Sequence, residues 1–139
     1  MDKENIFGMK DVFEFYFFDW NGDQVLHIET TGSSNFRASK SGCILTITDC
    51  LVNLEFLNEI MNGKHIGENY RIKGKSLVRD LNGEDLKVEL DIKESFIADY
   101  FIRNSVDDLA NPTLRISFPF KDLIGYDNFS LQVVEEWSI

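Results

Sequence analysis

The hydrophobic period of the chain changes between residues 42 and 63, GCILTITDCLVNLEFLNEIMNG, and that change limits the fold more than any other feature. Leu45 and Ile47 alternate with Thr46 and Thr48, the two-residue repeat of a strand with one buried face. Beyond Val52 the residues Leu54, Leu57, Ile60 and Met61 fall at helical spacing, Asn53 can accept from the first free backbone N–H groups, and Glu55 suits the positive end of the helix dipole. Asn62 and Gly63 supply the stop, because glycine tolerates the left-handed conformation that closes a helix. A helix of about nine residues does not hold itself together in water. It needs a sheet to lie on, and the remaining sequence has the pattern of that sheet.

Residues 11–20, DVFEFYFFDW, place Phe13, Phe15 and Phe17 on one face of a strand and Val12, Glu14, Tyr16 and Phe18 on the other. A sheet with aromatic residues on both faces needs cover on both: the helix on one side, a second sheet or another subunit on the other. Asn21-Gly22 predicts a type I′ hairpin turn, after which Leu26 and Ile28 face the core and His27 faces out. Residues 30–41, TTGSSNFRASKS, form a polar loop by composition, holding Phe36, Arg37 and Lys40. Such a loop either docks on another chain or is ordinary surface with one aromatic tucked back. A strand over residues 70–79 is expected to bend or bulge at Gly74, and Asn82-Gly83 predicts a second hairpin.

Residues 85–92 alternate cleanly, with Leu86, Val88, Leu90 and Ile92 on the core side and Lys87, Glu89 and Asp91 on the wet side. In residues 95–103, SFIADYFIR, the stripe Phe96, Ile97, Tyr100, Phe101 slightly favours a second helix over a strand. An acidic loop with Asp107 and Asp108 follows, then strands carrying Leu114, Ile116 and Phe118, and Phe129, Leu131 and Val133. The predicted fold is mainly β: a β-sandwich or partly closed barrel with one or two short helices packed on it. The 139 residues fit a single domain, with a flexible N-terminal arm at about residues 1–10 in which Ile6 and Phe7 are set.

Composition narrows the function. A chain that is 43% hydrophobic with twelve Phe is expected to fold despite a net charge of -10. A pI near 4.6 argues against gripping nucleic acid through phosphate neutralisation. An acidic wall suits DNA in transit, or the acidity simply keeps the protein in solution. Cys43 and Cys50 are expected to be reduced apolar fillers in a protein made in the cytoplasm. MDKENIFGMK lacks the apolar core of a secretion signal, and no apolar run is long enough to cross a membrane.

The sequence offers little chemistry, and no catalytic, cofactor-binding or metal site is expected. His27 on a strand face and His65 in a post-helix loop stand apart, and no nucleophile elbow or phosphate loop is present. Asp19, Asn21 and Asp23 superficially resemble a calcium loop, but the glycine is misplaced and no bidentate Glu follows, so a hairpin turn is expected. Asp107 and Asp108 are adjacent and diverge in an extended segment, whereas acid–base pairs must converge.

A strand ending in LTITD, the capping Asn53, a short helix with two leucines and a closing NG together resemble the middle of tail-tube (major tail) proteins of long-tailed bacteriophages. The opening DVFEFYFFDWNGDQVLHIETTGSS is similar to that family's first hairpin, so the resemblance covers the first half of the chain. It departs in residues 31–42, where the family often carries a longer glycine-rich loop. The resemblance implies a virion tail protein, not an enzyme, that self-assembles into stacked hexameric rings and contacts other tail proteins. DNA would pass through without being bound specifically, and no membrane would be involved. Under it Phe36, Arg37, Lys40, Ile6 and Phe7 are expected inter-subunit contacts, and Lys87, Glu89 and Asp91 face the lumen. The alternative is a baseplate or carbohydrate-binding β-sandwich module with Trp20, Tyr16 or Tyr126 stacking on a ligand.

Overall fold

The computed structural model describes residues 10–30, 34–39, 42–102, 112–121 and 127–139, with residues 10–13 described for the backbone alone. In chain order the elements are β1 (Lys10–Phe18), β2 (Gln24–Thr30), β3 (Ser34–Ser39), β4 (Gly42–Ile47), β5 (Cys50–Leu51), α1 (Leu54–Met61), β6 (Asn69–Arg79), β7 (Asp85–Ile102), β8 (Pro112–Phe118) and β9 (Phe129–Val134). The strands form one antiparallel sheet in the order β3-β4-β8-β7-β6-β1-β2-β5, with β9 beside β7. β7 carries the sheet: its first half lies between β6 and β9, and its second half pairs with β8 on the edge that β9 occupies further back.

Pairing leaves the path open between β3 and β5, so the sheet is sandwich-like and does not close into a barrel. The chain itself joins the two ends. β4 runs through Thr48 and Asp49 directly into β5, which pairs with β2, while β3 pairs with β4. The inward side chains meet in one core: Phe15 and Phe17 from β1, Leu45 and Ile47 from β4, Ile72 from β6, Leu90, Ile92 and Ile97 from β7, and Leu114, Ile116 and Phe118 from β8. Gly74 is neither a bulge nor a bend. It pairs in register with Phe15 and Leu90, and a Cβ there would lie 3.2 Å from the Phe15 ring, so glycine makes room for an inward phenylalanine.

The helix starts and stops where expected. Asn53 Oδ1 accepts from Phe56 N at 2.7 Å, and Gly63 (φ +76) allows Gly63 N to bond Ile60 O and Lys64 N to bond Glu59 O. Its buried residues are Phe56 and Ile60, each worth about 1.5–3 kcal/mol of apolar burial, while Leu54 and Met61 face water.

Besides Gly74, three local expectations are corrected. Within the segment expected to be a polar loop, Ser34–Ser39 is a strand: β4 supplies a backbone ladder from Ser34↔Ile47 to Ser39↔Gly42, and main-chain pairing overrides the poor strand propensity of the side chains. No second helix forms at residues 95–102, which continue β7. A register shift between Ile97 and Asp99 reverses the alternation there, so Ile97 and Tyr100 point inward while Phe96 and Phe101 point outward, and a bulged strand thereby imitates a helical stripe. The first hairpin is not type I′. Gly22 has positive φ and Asn21 does not, because Asp19 Oδ1 accepts from Asn21 N at 2.9 Å and Asp23 N at 3.0 Å and imposes a three-residue turn.

Candidate functional site

Two outward surfaces concentrate what the core does not use. The first is the outer face of β2, β1, β6, β7 and β9. Register puts Tyr16 beside His27 and Lys73, and Glu14 beside Glu29 and Lys75. The Tyr16 and His27 rings stack at 4.7 Å, Lys73 lies over Phe18, and Lys75 lies over both Tyr16 and Trp137. The aromatic residues on this second face of β1 are thus covered by the chain's own cations and by its C-terminal segment. Burial pushes the Glu14 carboxyl up, but hydrogen bonds to Tyr16 and Lys75 and the Lys75 charge outweigh it and hold the group below its ordinary value. Tyr16 moves up, through burial and then its bond to Glu14.

The three expected lumen residues lie on this face, each engaged within the chain. Lys87 pairs with Glu136 at 3.1 Å, Glu89 accepts from the Ser138 hydroxyl, and Asp91 accepts Arg71 in a two-point contact. Trp137 Nε1 donates to Val88 O at 3.1 Å and fixes the segment that carries Glu136 and Ser138. Among the expected contact residues, Phe36 turns inward, edge-on to Phe129 at 5.3 Å, and Arg37 is exposed on β3. Lys40, Ile6 and Phe7 lie outside the described residues, as do Asp107, Asp108 and Tyr126.

The second surface is the pair of hairpin tips. Asp19-Trp20-Asn21-Gly22-Asp23 and Asp80-Leu81-Asn82-Gly83-Glu84 make the same turn: the leading Asp accepts from two backbone N–H groups, and the glycine takes positive φ. Each tip holds out one large apolar side chain, Trp20 at 96% exposure and Leu81 at 77%. Beside Trp20 a groove of about 540 Å³ is lined by Phe18, Asn69, Arg71, Lys73 and Lys93. No protein-family model matches the chain, and no curated protein does either.

Among the described residues, two clusters bring a histidine together with carboxylates. Glu14, His27 and Glu29 bring ligand atoms within 4.8 Å of one another, but Lys75 Nζ sits 3.1 Å from Glu14 Oε2, where a metal cation would compete with it. Under the end of α1, His65 Nε2 faces Glu59 at 2.6 Å, its Nδ1 faces the Tyr70 hydroxyl at 2.8 Å, and that hydroxyl donates to Glu68 at 2.9 Å. Burial, and then the Glu68 bond, push the Tyr70 phenol up. Both His65 nitrogens are taken by protein and the residue is 7% exposed, so the network ties the helix end to β6. The sequence missed it because the partners, spread over residues 59–70, converge only when the helix closes on Gly63. Cys43 and Cys50 are free and buried, and burial raises the Cys50 thiol to about 12.

Proposed function

We propose that this protein is a structural subunit that self-assembles, a tail-tube protein stacked in hexameric rings through which DNA passes, and not an enzyme. One observation carries the reading: Trp20 stands almost fully exposed and Leu81 largely so, each on a side-chain-capped turn, while the same chain buries Phe15 and Phe17 completely. A large apolar group held out on an ordered turn is costly to leave in water and suits a partner surface. The self-paired face of Lys87, Glu89 and Asp91 is the one assigned to the channel. Its cations already have partners within the chain, so passing phosphates gain little by pairing with them. Arg37 on the terminal strand β3 is assigned to a lateral contact, where strand addition from a neighbour would cover the edge.

The alternative, a baseplate or carbohydrate-binding module, draws on Trp20 beside its groove. Sedimentation velocity and negative-stain microscopy of the purified full chain separate the two. Rings with a central hole or tubes are expected; a monomer that persists at high concentration and takes up glycan at Trp20 overturns the proposal.

A further inference from the structure

We infer that the β6–β7 tip of one copy seats in the Trp20 groove of the next, a head-to-tail contact that gives the assembly its polarity. This rests on the self-assembly reading above and adds which two surfaces meet. The two tips lie at opposite ends of one slab: β1 and β6 are antiparallel, with Phe18 opposite Arg71 and Lys10 opposite Leu77. From the Arg71 row to Arg79 the strand runs roughly 26 Å, at about 3.3 Å per residue. The β6–β7 tip also projects. β1 first pairs with β6 at Leu77, and β9 last pairs with β7 at Lys87, so residues 79–85 extend past both described neighbours.

The chemistry of the two ends is complementary. The tip offers Leu81 flanked by Asp80, Glu84 and Asp85, with Arg79 as its single cation. The groove places the Phe18 and Trp20 rings beside Lys73 and Lys93, with Arg71 held by Asp91 and with Asp19 and Glu94 as its carboxylates. An apolar side chain ringed by acids thus meets aromatic rings beside two lysines, of which Lys93 is exposed. Like meets like poorly at the tips, since two β6–β7 tips bring acidic groups together. The contact therefore joins different surfaces of identical chains and propagates, whereas a self-complementary patch would close as a pair.

Full-length Leu81→Cys and Lys93→Cys are prepared separately, mixed, and treated with a short bis-maleimide. Both substitutions are at exposed positions, and the native cysteines are buried, so the added thiols dominate the reaction. The mixture is expected to give chain-to-chain links far above either variant alone, and a chain carrying both substitutions a ladder. In parallel, Glu84→Lys and Lys93→Glu should each weaken self-association about tenfold, and their combination should restore it. Assemblies that form normally without 81–93 links, or that ignore both charge reversals, overturn this contact and leave the self-assembly reading standing. A chain that neither assembles nor links overturns both, and a glycan that occupies the groove without disturbing association overturns the contact alone.

Discussion

Asn128 has no exposed surface, and each of its polar groups has a partner. Its Oδ1 accepts from Glu94 N at 2.7 Å, and its Nδ2 donates to Glu94 O at 2.6 Å and to Pro119 O at 3.0 Å. Its backbone bonds Phe120 O and Lys93 N, so one residue satisfies the irregular stretch of β7 opposite Arg71 and anchors the approach to β9. Asn128→Leu keeps the branched shape at a larger volume and leaves an N–H and two carbonyls unpaired; at about 1–3 kcal/mol per orphaned group, a loss of about 3 kcal/mol or more is expected. Urea unfolding checks it: the midpoint should fall with the slope unchanged, and a loss under about 1 kcal/mol would mean that water replaces the amide. Glu14 gives a pH prediction with a definite sign. Its folded pKa lies below its ordinary 4.5, so its contribution is present above that value and fades as pH falls through the folded pKa. Melting temperature should therefore drop on acidification below about pH 4.5, and Glu14→Gln should flatten that part of the profile while lowering stability near neutrality.

At the scale of elements, sequence and structure agree where one face is buried and the other wet. Residues 85–92 and 113–118 show that alternation, and so do the caps of α1, because a capping Asn and a closing Gly act within a few residues of their own position. The disagreements have physical causes. β3 is held by the backbone of β4, which side-chain patterning does not report, and it carries only Ser34 and the half-buried Phe36 on its inner side. The stripe at residues 96–101 mixes two strand phases across one bulge, so a two-period element acquires an apparent period near four. The turn type turned on a single carboxylate: Asp19 and Asp80 pull the following amides inward, and that competition outweighed the Asn-Gly signal. Of the candidate surface, the alternation placed Lys87, Glu89 and Asp91 correctly on one outward face, but nothing in it revealed their partners Glu136, Ser138 and Arg71, contributed by the C-terminal segment and β6. The exposed Trp20 and Leu81 were equally silent, since an apolar residue in a turn looks the same whether it folds back or points out.

For the molecule as a whole, the decisive element is the corner that lets an open sheet enclose a core. Asp49 has φ 51, and among the described residues it is the one non-glycine residue with positive φ. It sits where β4 leaves one end of the sheet path and β5 begins the other, with Thr30 hydrogen-bonded to Thr48 and Cys50 fully buried beside it. A short polar side chain tolerates the left-handed region, whereas a β-branched one clashes with its own backbone there at a cost of about 1–2 kcal/mol or more. Asp49→Val should lower unfolding stability by at least that amount, and Asp49→Gly should match or exceed the wild type. Hydrogen exchange localises the effect: the amides of Cys50 and Leu51 should lose protection in Asp49→Val before those of the β6–β7 ladder, because β5 is held by only two pairs to β2. The corner contributes no residue to either hairpin tip, so the folded fraction of Asp49→Val should self-associate as the wild type does. If Asp49→Val unfolds like the wild type, pairing alone holds the ends of the sheet together; if it folds but no longer associates, the corner, rather than the tips, belongs to the assembly surface.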